Sequence, residues 1–136
     1  MKSKERIVYF NGKFVPESEA KISIYDSALM FGDMVFEMTR SYKGKHFKLE
    51  KHIDRLFDGL KILRIKLDLS KKELLNICKK TAEKNQKLFD KDDEHRLMID
   101  ISRGLLGIYE DVVGVRKGPN VIVADFPLKW TVRGMG

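Results

Sequence analysis

A strong local signal for the fold lies in the segment Ile7-Val8-Tyr9-Phe10-Asn11-Gly12-Lys13-Phe14-Val15. Two runs rich in β-branched and aromatic residues flank Asn11-Gly12, a pair that accepts the positive φ angles of a type I′ turn. The segment therefore predicts a β-hairpin, which Pro16 ends. A second hairpin is predicted from residues 34–42 and 46–48. Between the two hairpins, an extended piece at residues 20–24 leads into a turn or helix cap at residues 25–27.

The spacing of apolar residues changes from a strand period to a helix period after residue 48. Apolar positions then recur at steps of three and four, which predicts a helix with one apolar stripe. Those positions are Leu49, Ile53, Leu56, Phe57, Leu60 and Leu63. A second helix is predicted to begin at Ser70, because Ser70-Lys71-Lys72-Glu73 has the pattern of a capping box.

Two runs rich in β-forming residues, 97–101 and 121–126, follow a charged turn at residues 90–94. The order of elements is strands, two helices and strands again. This order predicts the α+β class, with a largely antiparallel sheet flanked by two main helices.

The composition is that of one soluble globular domain. The chain has 136 residues, of which 43% are hydrophobic and 35% charged, with a net charge of +7. No apolar run approaches the roughly 20 residues of a membrane helix, and the start of the chain does not resemble a signal peptide. A single cysteine, Cys78, fits a reducing cytosol. The composition therefore predicts a cytoplasmic protein that does not insert into a membrane.

The positive charge is not predicted to form a nucleic-acid site, because lysines and acids alternate along the second helix as on a solvated helix face. Small anionic ligands stay compatible with a basic domain. No metal site is predicted, since His46, His52 and His95 lack partners at ligand spacing. Cys78 lies among apolar helix residues and is predicted to be a packing residue. Spacing alone thus indicates only a soluble α+β domain.

Two longer stretches resemble a known family. They are Tyr25-Asp-Ser-Ala-Leu-Met-Phe-Gly-Asp-Met-Val-Phe-Glu37 and His46-Phe-Lys-Leu-Glu-Lys-His-Ile-Asp-Arg-Leu56. In this order they resemble class IV (fold-type IV) aminotransferases, which use pyridoxal 5'-phosphate and include branched-chain, D-amino-acid and R-selective amine transaminases and aminodeoxychorismate lyase. The resemblance implies the family's N-terminal small domain for residues 1–126. It also implies the start of an interdomain linker at residues 127–136, with the C-terminal catalytic domain absent.

The resemblance assigns roles to four side chains. Arg55 matches the arginine that holds the cofactor phosphate, and a guanidinium does pair bidentately with phosphate oxygens. Phe31 and Phe36 match aromatic positions of the substrate pocket. Arg103 matches the arginine that contacts the substrate carboxylate in D-amino-acid members. Residue patterns alone leave structural alternatives open: a surface cation beside neighbouring aspartates for Arg55, a core aromatic for Phe36, and a turn cap for Arg103.

Two features depart from the family pattern. Branched-chain enzymes place Tyr-x-Arg where this chain has Arg96-Leu97-Met98. The lysine that attaches the cofactor comes from the C-terminal domain in the family, and Lys129 does not match it. No catalytic residue is therefore assigned, and the chain alone is expected to be inactive.

The implied activity of the full-length protein is transfer of an amino group between an amino acid or amine and a 2-oxo acid, by a homodimer. An aminodeoxychorismate lyase of the same fold is one alternative. A non-catalytic binding or dimerisation module is another.

Overall fold

The hairpin predicted around Asn11-Gly12 is present in the computed structural model, which describes residues 5–109, 111–112 and 114–134. Asn11 and Gly12 have φ angles of 49° and 94°, the positive values that the turn requires. Across the turn, Val8 pairs with Val15. This register places alternate side chains of both strands on the same face of the sheet.

The described residues form six strands in one sheet. They are β1 Ile7–Phe10, β2 Lys13–Pro16, β3 Met34–Tyr42, β4 Lys45–His46, β5 His95–Ser102 and β6 Asn120–Pro127. Their order is β2-β1-β6-β5-β3-β4, and each neighbouring pair is antiparallel. The predicted class and the antiparallel sheet are confirmed, as is the second hairpin, formed by β3 and β4.

Helices occupy the two predicted positions and two others. They are α1 Ser27–Phe31, α2 Leu49–Leu63, α3 Lys71–Asn85 and α4 Lys129–Gly134. The predicted capping box is present: the amide of Glu73 donates to Ser70 Oγ at 3.1 Å, and the amide of Ser70 donates to Glu73 Oε1 at 3.2 Å. Helix α3 begins at Lys71, directly after the predicted cap, and α2 begins at Leu49, the first predicted apolar position. No helix among the described residues is long and apolar enough to cross a membrane.

The core lies between one face of the sheet and the helices α2 and α3. Burial of these apolar side chains is the main contribution to stability, at about 1.5–3 kcal/mol for each large side chain. The most deeply buried large members are Ile53, Leu56, Leu74, Leu97, Ile99, Ile101 and Val123. Cys78 is fully buried in the same cluster, as its helical context predicted.

Two segments add detail to the sequence-based expectation. Residues 20–24 pair with no strand, and the cap expected at residues 25–27 is present, because Asp26 accepts a hydrogen bond from the amide of Ala28 at 2.8 Å at the start of α1. Residues 129–134, expected to be linker, form α4. The Trp130 ring stacks on Phe126, with ring centroids 5.9 Å apart, and the Arg6 guanidinium lies 4.2 Å from its centroid. These contacts dock α4 on the domain.

Replacement of Gly104 by alanine is expected to destabilise the fold by about 1–3 kcal/mol. Gly104 has a φ of +87°, and a Cβ there would lie 2.1 Å from the carbonyl oxygen of Gly118. The free energy of unfolding in urea measures the effect. Gly107→Ala is the matched control, since a Cβ at Gly107 meets nothing within 4 Å. Equal losses in the two variants would contradict the clash.

Candidate functional site

A charged cluster joins α2 to β3. His52 and Arg55 are three residues apart on α2, so they project from the same side of the helix toward the sheet. Both contact Glu37, whose side chain points from β3 toward α2. Arg55 donates through Nε to Glu37 Oε2 at 2.8 Å and through Nη2 to Glu37 Oε1 at 2.6 Å. His52 Nδ1 lies 2.7 Å from the same Oε1. The carboxylate therefore fixes the orientation of the guanidinium.

The cluster is buried on the glutamate side and open on the arginine side. The Glu37 side chain is 7% exposed, whereas that of Arg55 is 72% exposed. Burial alone would raise the pKa of the Glu37 carboxyl, but hydrogen bonds from Arg55 and His52 outweigh it and lower that pKa. The hydrogen bond to Glu37 raises the pKa of Arg55 in turn. Arg55 Nη1 has no hydrogen-bond partner among the described residues. A fixed, exposed cation with free N–H groups suits an incoming anion.

The lowered pKa of Glu37 predicts a loss of stability in acid. A carboxyl whose pKa is lower in the folded than in the unfolded state stabilises the fold above its unfolded pKa of about 4.3. That contribution disappears as the pH falls through the folded pKa. Urea unfolding of Glu37→Gln should therefore show a flatter decline of stability below about pH 5 than the unchanged chain. Glu83→Gln, at an exposed position on α3, is the control. An unchanged acid dependence in Glu37→Gln would contradict this assignment.

The aromatic candidates lie near the start of β3. Phe36 is 64% exposed and points to the opposite face of the sheet from Glu37, as strand alternation requires. Phe31, at the end of α1, is 61% exposed. Among the described residues, β3 pairs with β4 only at Ser41 and Tyr42, so its outer edge over residues 34–39 has no strand neighbour. The core-aromatic alternative for Phe36 does not fit this exposure.

Arg103 occupies a different environment from Arg55. Its guanidinium forms a two-point ion pair with Asp33, just before β3. It also donates through Nη2 to the carbonyl oxygen of Leu63 at 2.6 Å and through Nη1 to that of Arg64 at 3.3 Å. Arg103 therefore ties the end of β5 to the C-terminal end of α2. Its N–H groups are largely occupied, so contact with a substrate carboxylate requires exchange of these partners.

The structure brings together residues that sequence patterns left apart. Asp54, the aspartate next to Arg55 in sequence, forms an ion pair with Lys71 at 3.1 Å and not with Arg55. The partners that sequence reasoning missed are Glu37 and His52. Their signal was present in the alternation of Phe36 and Glu37 along β3 and in the three-residue step from His52 to Arg55.

Among the described residues, neither the single cysteine nor a metal-ligand cluster adds to this site. Burial raises the pKa of the Cys78 thiol to about 12, so the reactive thiolate is scarce at neutral pH. In the part of the chain that the structure describes, no group of three or more histidine, cysteine, aspartate or glutamate side chains is arranged to hold a metal ion.

A family model and the most similar curated proteins agree on one family for this chain. The family model described as amino-transferase class IV matches residues 34–132. A putative branched-chain-amino-acid aminotransferase of Methanocaldococcus jannaschii is 42% identical over 101 residues, which are 74% of this chain and 34% of that protein. The aminodeoxychorismate lyase of Bacillus subtilis is 36% identical over 99 residues, 73% of this chain and 33% of the lyase.

Solved structures agree with the sequence comparison. The branched-chain amino acid aminotransferase from Escherichia coli superposes with a TM-score of 0.75 and 30% identity, covering 93% of this chain and 42% of that chain. A T.th. branched-chain amino acid aminotransferase with pyridoxamine 5'-phosphate superposes with a TM-score of 0.72 and 26% identity, covering 92% of this chain and 41% of that one. The chain thus spans about a third of the length of these curated relatives and about two fifths of these solved chains.

Proposed function

This chain belongs to the amino-transferase class IV family, and from that membership we propose that it is the small N-terminal domain of a pyridoxal-phosphate-dependent aminotransferase. The proposed reaction transfers an amino group between an amino acid, branched-chain-like or D-, or an amine and a 2-oxo acid. The observation that carries the proposal is the clamped, exposed guanidinium of Arg55.

We propose that Arg55 holds the cofactor phosphate. The residues present fit that group: Glu37 orients the guanidinium through two hydrogen bonds, and Nη1 stays available to phosphate oxygens. When bound, the cofactor supplies an electron sink for the reaction. The chain's own contribution is to position the phosphate and to line the pocket with Phe36 and Phe31.

The substrate-binding roles proposed for the aromatic residues have more structural support than the role proposed for Arg103. The exposure of Phe36 and Phe31 supports a place for them on the pocket wall. Contact of Arg103 with a substrate carboxylate is supported only by the family motif, because Asp33 and the end of α2 already occupy its guanidinium. The Arg96-Leu97-Met98 segment also lacks the branched-chain pattern, so a D-amino acid stays a candidate donor. A D-alanine aminotransferase of Staphylococcus aureus is 35% identical over 79 residues.

The remaining assignments extend the family relation. We propose that residues 1–126 form the small domain and that residues from 127 lead toward a larger domain bearing the lysine. We further propose that this chain alone is inactive, that the active form is a cytoplasmic homodimer, and that neither nucleic acid nor membrane is a partner. A lyase acting on aminodeoxychorismate is the second candidate, which the 36% identity to the Bacillus subtilis lyase favours.

The test is an assay of the complete gene product with pyridoxal 5'-phosphate. Leucine and D-alanine are offered separately as donors to 2-oxoglutarate, and formation of glutamate is followed. Donor-dependent glutamate supports the aminotransferase. Pyruvate released from aminodeoxychorismate without an oxo-acid acceptor supports the lyase instead. Saturable cofactor binding with neither activity would contradict both and favour a non-catalytic module.

A further inference from the structure

A groove lies between β4, the start of α2 and α3. Its volume is about 900 Å³, which is within the range of small-molecule pockets. Leu49, Leu75 and Ala82 give it an apolar wall. Neither Arg55 nor Phe36 borders it. The groove is therefore a different place from the proposed cofactor site.

The position of the groove along the sheet separates it from Arg55. His46, which borders the groove, pairs with Ser41 on β3. Ser41 is four residues along β3 from Glu37, which holds Arg55. At about 3.3 Å per residue, that is about 13 Å along the strand. On α2, Lys51 of the groove precedes Arg55 by one helical turn, about 6 Å along the axis, so the groove lies beside the proposed phosphate position and does not include it.

Unpaired positive charge surrounds the apolar wall. Four lysines border the groove: one from β4, one at the N-cap of α2, one in the first turn of α2 and one from α3, which are Lys45, Lys48, Lys51 and Lys79. Within the part of the chain that the structure describes, none of the four forms an ion pair. Lys71 and Lys129, in contrast, pair with aspartates at 3.1 Å and 2.9 Å. Glu50 and Glu83 also border the groove, so its lining keeps a net positive charge.

His46 places an imidazole ring at the wall of the groove. Its Nδ1 is buried and has no hydrogen-bond partner among the described residues, which is costly for a buried polar atom. Burial, together with the neighbouring His95 of β5 and Lys79 of α3, lowers the pKa of the His46 imidazole. A bound anion would offset the positive charge of Lys79, which faces this ring.

We propose that this groove binds a small amphipathic anion, a carboxylate attached to a short aliphatic chain. The aliphatic part would pack against Leu49, Leu75 and Ala82, and the carboxylate would pair with Lys51 and Lys79. Apolar burial and charge pairing are both needed, because exposed ion pairs alone stabilise little. A fully hydrated anion such as inorganic phosphate cannot use the apolar wall, and a neutral alcohol cannot use the lysines.

The test is a titration of the ¹⁵N-labelled chain with hexanoate, followed by amide chemical shifts. Saturable shifts are expected at Leu49, Lys51, Lys79 and Ala82, with binding at least about tenfold tighter than that of 1-hexanol or inorganic phosphate. The double variant Lys51→Gln/Lys79→Gln is expected to weaken hexanoate binding by about fivefold or more. The matched control is Lys61→Gln/Lys80→Gln, which removes the same charges from the same two helices outside the groove.

Three results would overturn the proposal. The first is the absence of saturable shifts at the groove residues. The second is an equal loss of affinity in the two double variants, which would indicate a net-charge effect. The third is phosphate binding as tight as hexanoate binding, which would show an adventitious anion position. The amide spectra also report whether each variant is folded.

Discussion

Replacement of Arg55 by alanine is expected to weaken the affinity of the complete gene product for pyridoxal 5'-phosphate by about tenfold to a hundredfold. A hydrogen bond to a charged group contributes about 1.5–3 kcal/mol, and each 1.4 kcal/mol is a factor of ten in affinity. Arg55 is 72% exposed and is oriented by its hydrogen bonds to Glu37. Its replacement therefore removes a cation that is already positioned to bind the phosphate. Equilibrium dialysis of the cofactor measures the change.

Two further variants separate charge from orientation. Arg55→Lys keeps the charge but loses the two-point geometry, and we expect intermediate affinity. Glu37→Gln keeps Arg55 but weakens the hydrogen bonds that orient it, so cofactor affinity should fall by less than in Arg55→Ala. Lys61→Ala, at the far end of α2, is the control. Unchanged cofactor affinity in Arg55→Ala would contradict the phosphate assignment.

Local signals predicted most of the fold. The Asn11-Gly12 turn, the apolar stripe of α2 and the Ser70 capping box each depend on residues within a few positions of one another. Their energetics are therefore visible in a short window of sequence. The sequence also indicated the antiparallel sheet, because runs with a strand period flank the two helices. Short α1 was missed because its five residues carry no helical period.

Sequence patterns also indicated part of the candidate site, again because the motif lies within a short stretch of the chain. The motif identified Arg55, but Glu37 lies 18 residues away in sequence, and the packing of α2 on β3 brings the two together. That packing depends on the register of the helix on the sheet, which no local pattern encodes. Arg103 shows the converse: its motif was recognised, yet the structure gives it partners at Asp33 and Leu63. A motif specifies a residue type at a position, whereas tertiary packing decides its contacts.

Local sequence patterns also did not predict a buried polar pair between β5 and β6. His95 is 3% and Asp125 0% exposed at the side chain, and His95 Nδ1 lies 2.8 Å from Asp125 Oδ2. His95 Nε2 lies 2.7 Å from Gln86 Oε1, and Phe89 stacks on the ring with centroids 3.9 Å apart. Burial raises the pKa of the Asp125 carboxyl, even though the contact with His95 acts to lower it. Among the described residues, Asp125 has side-chain hydrogen bonds only to His95, whereas His95 divides its two ring nitrogens between Asp125 and Gln86.

Asp125→Ala is expected to destabilise the chain by about 3–5 kcal/mol, the usual cost of removing one partner of a buried pair. The His95 ring, whose side chain is 3% exposed, would lose its partner at Nδ1. Asp125→Asn keeps an acceptor oxygen of the same shape, so its loss of stability should be smaller. Urea unfolding at pH 7 measures both, with exposed Asp92→Ala as control. A loss below about 1 kcal/mol in Asp125→Ala would show that the pair does not hold the two strands together.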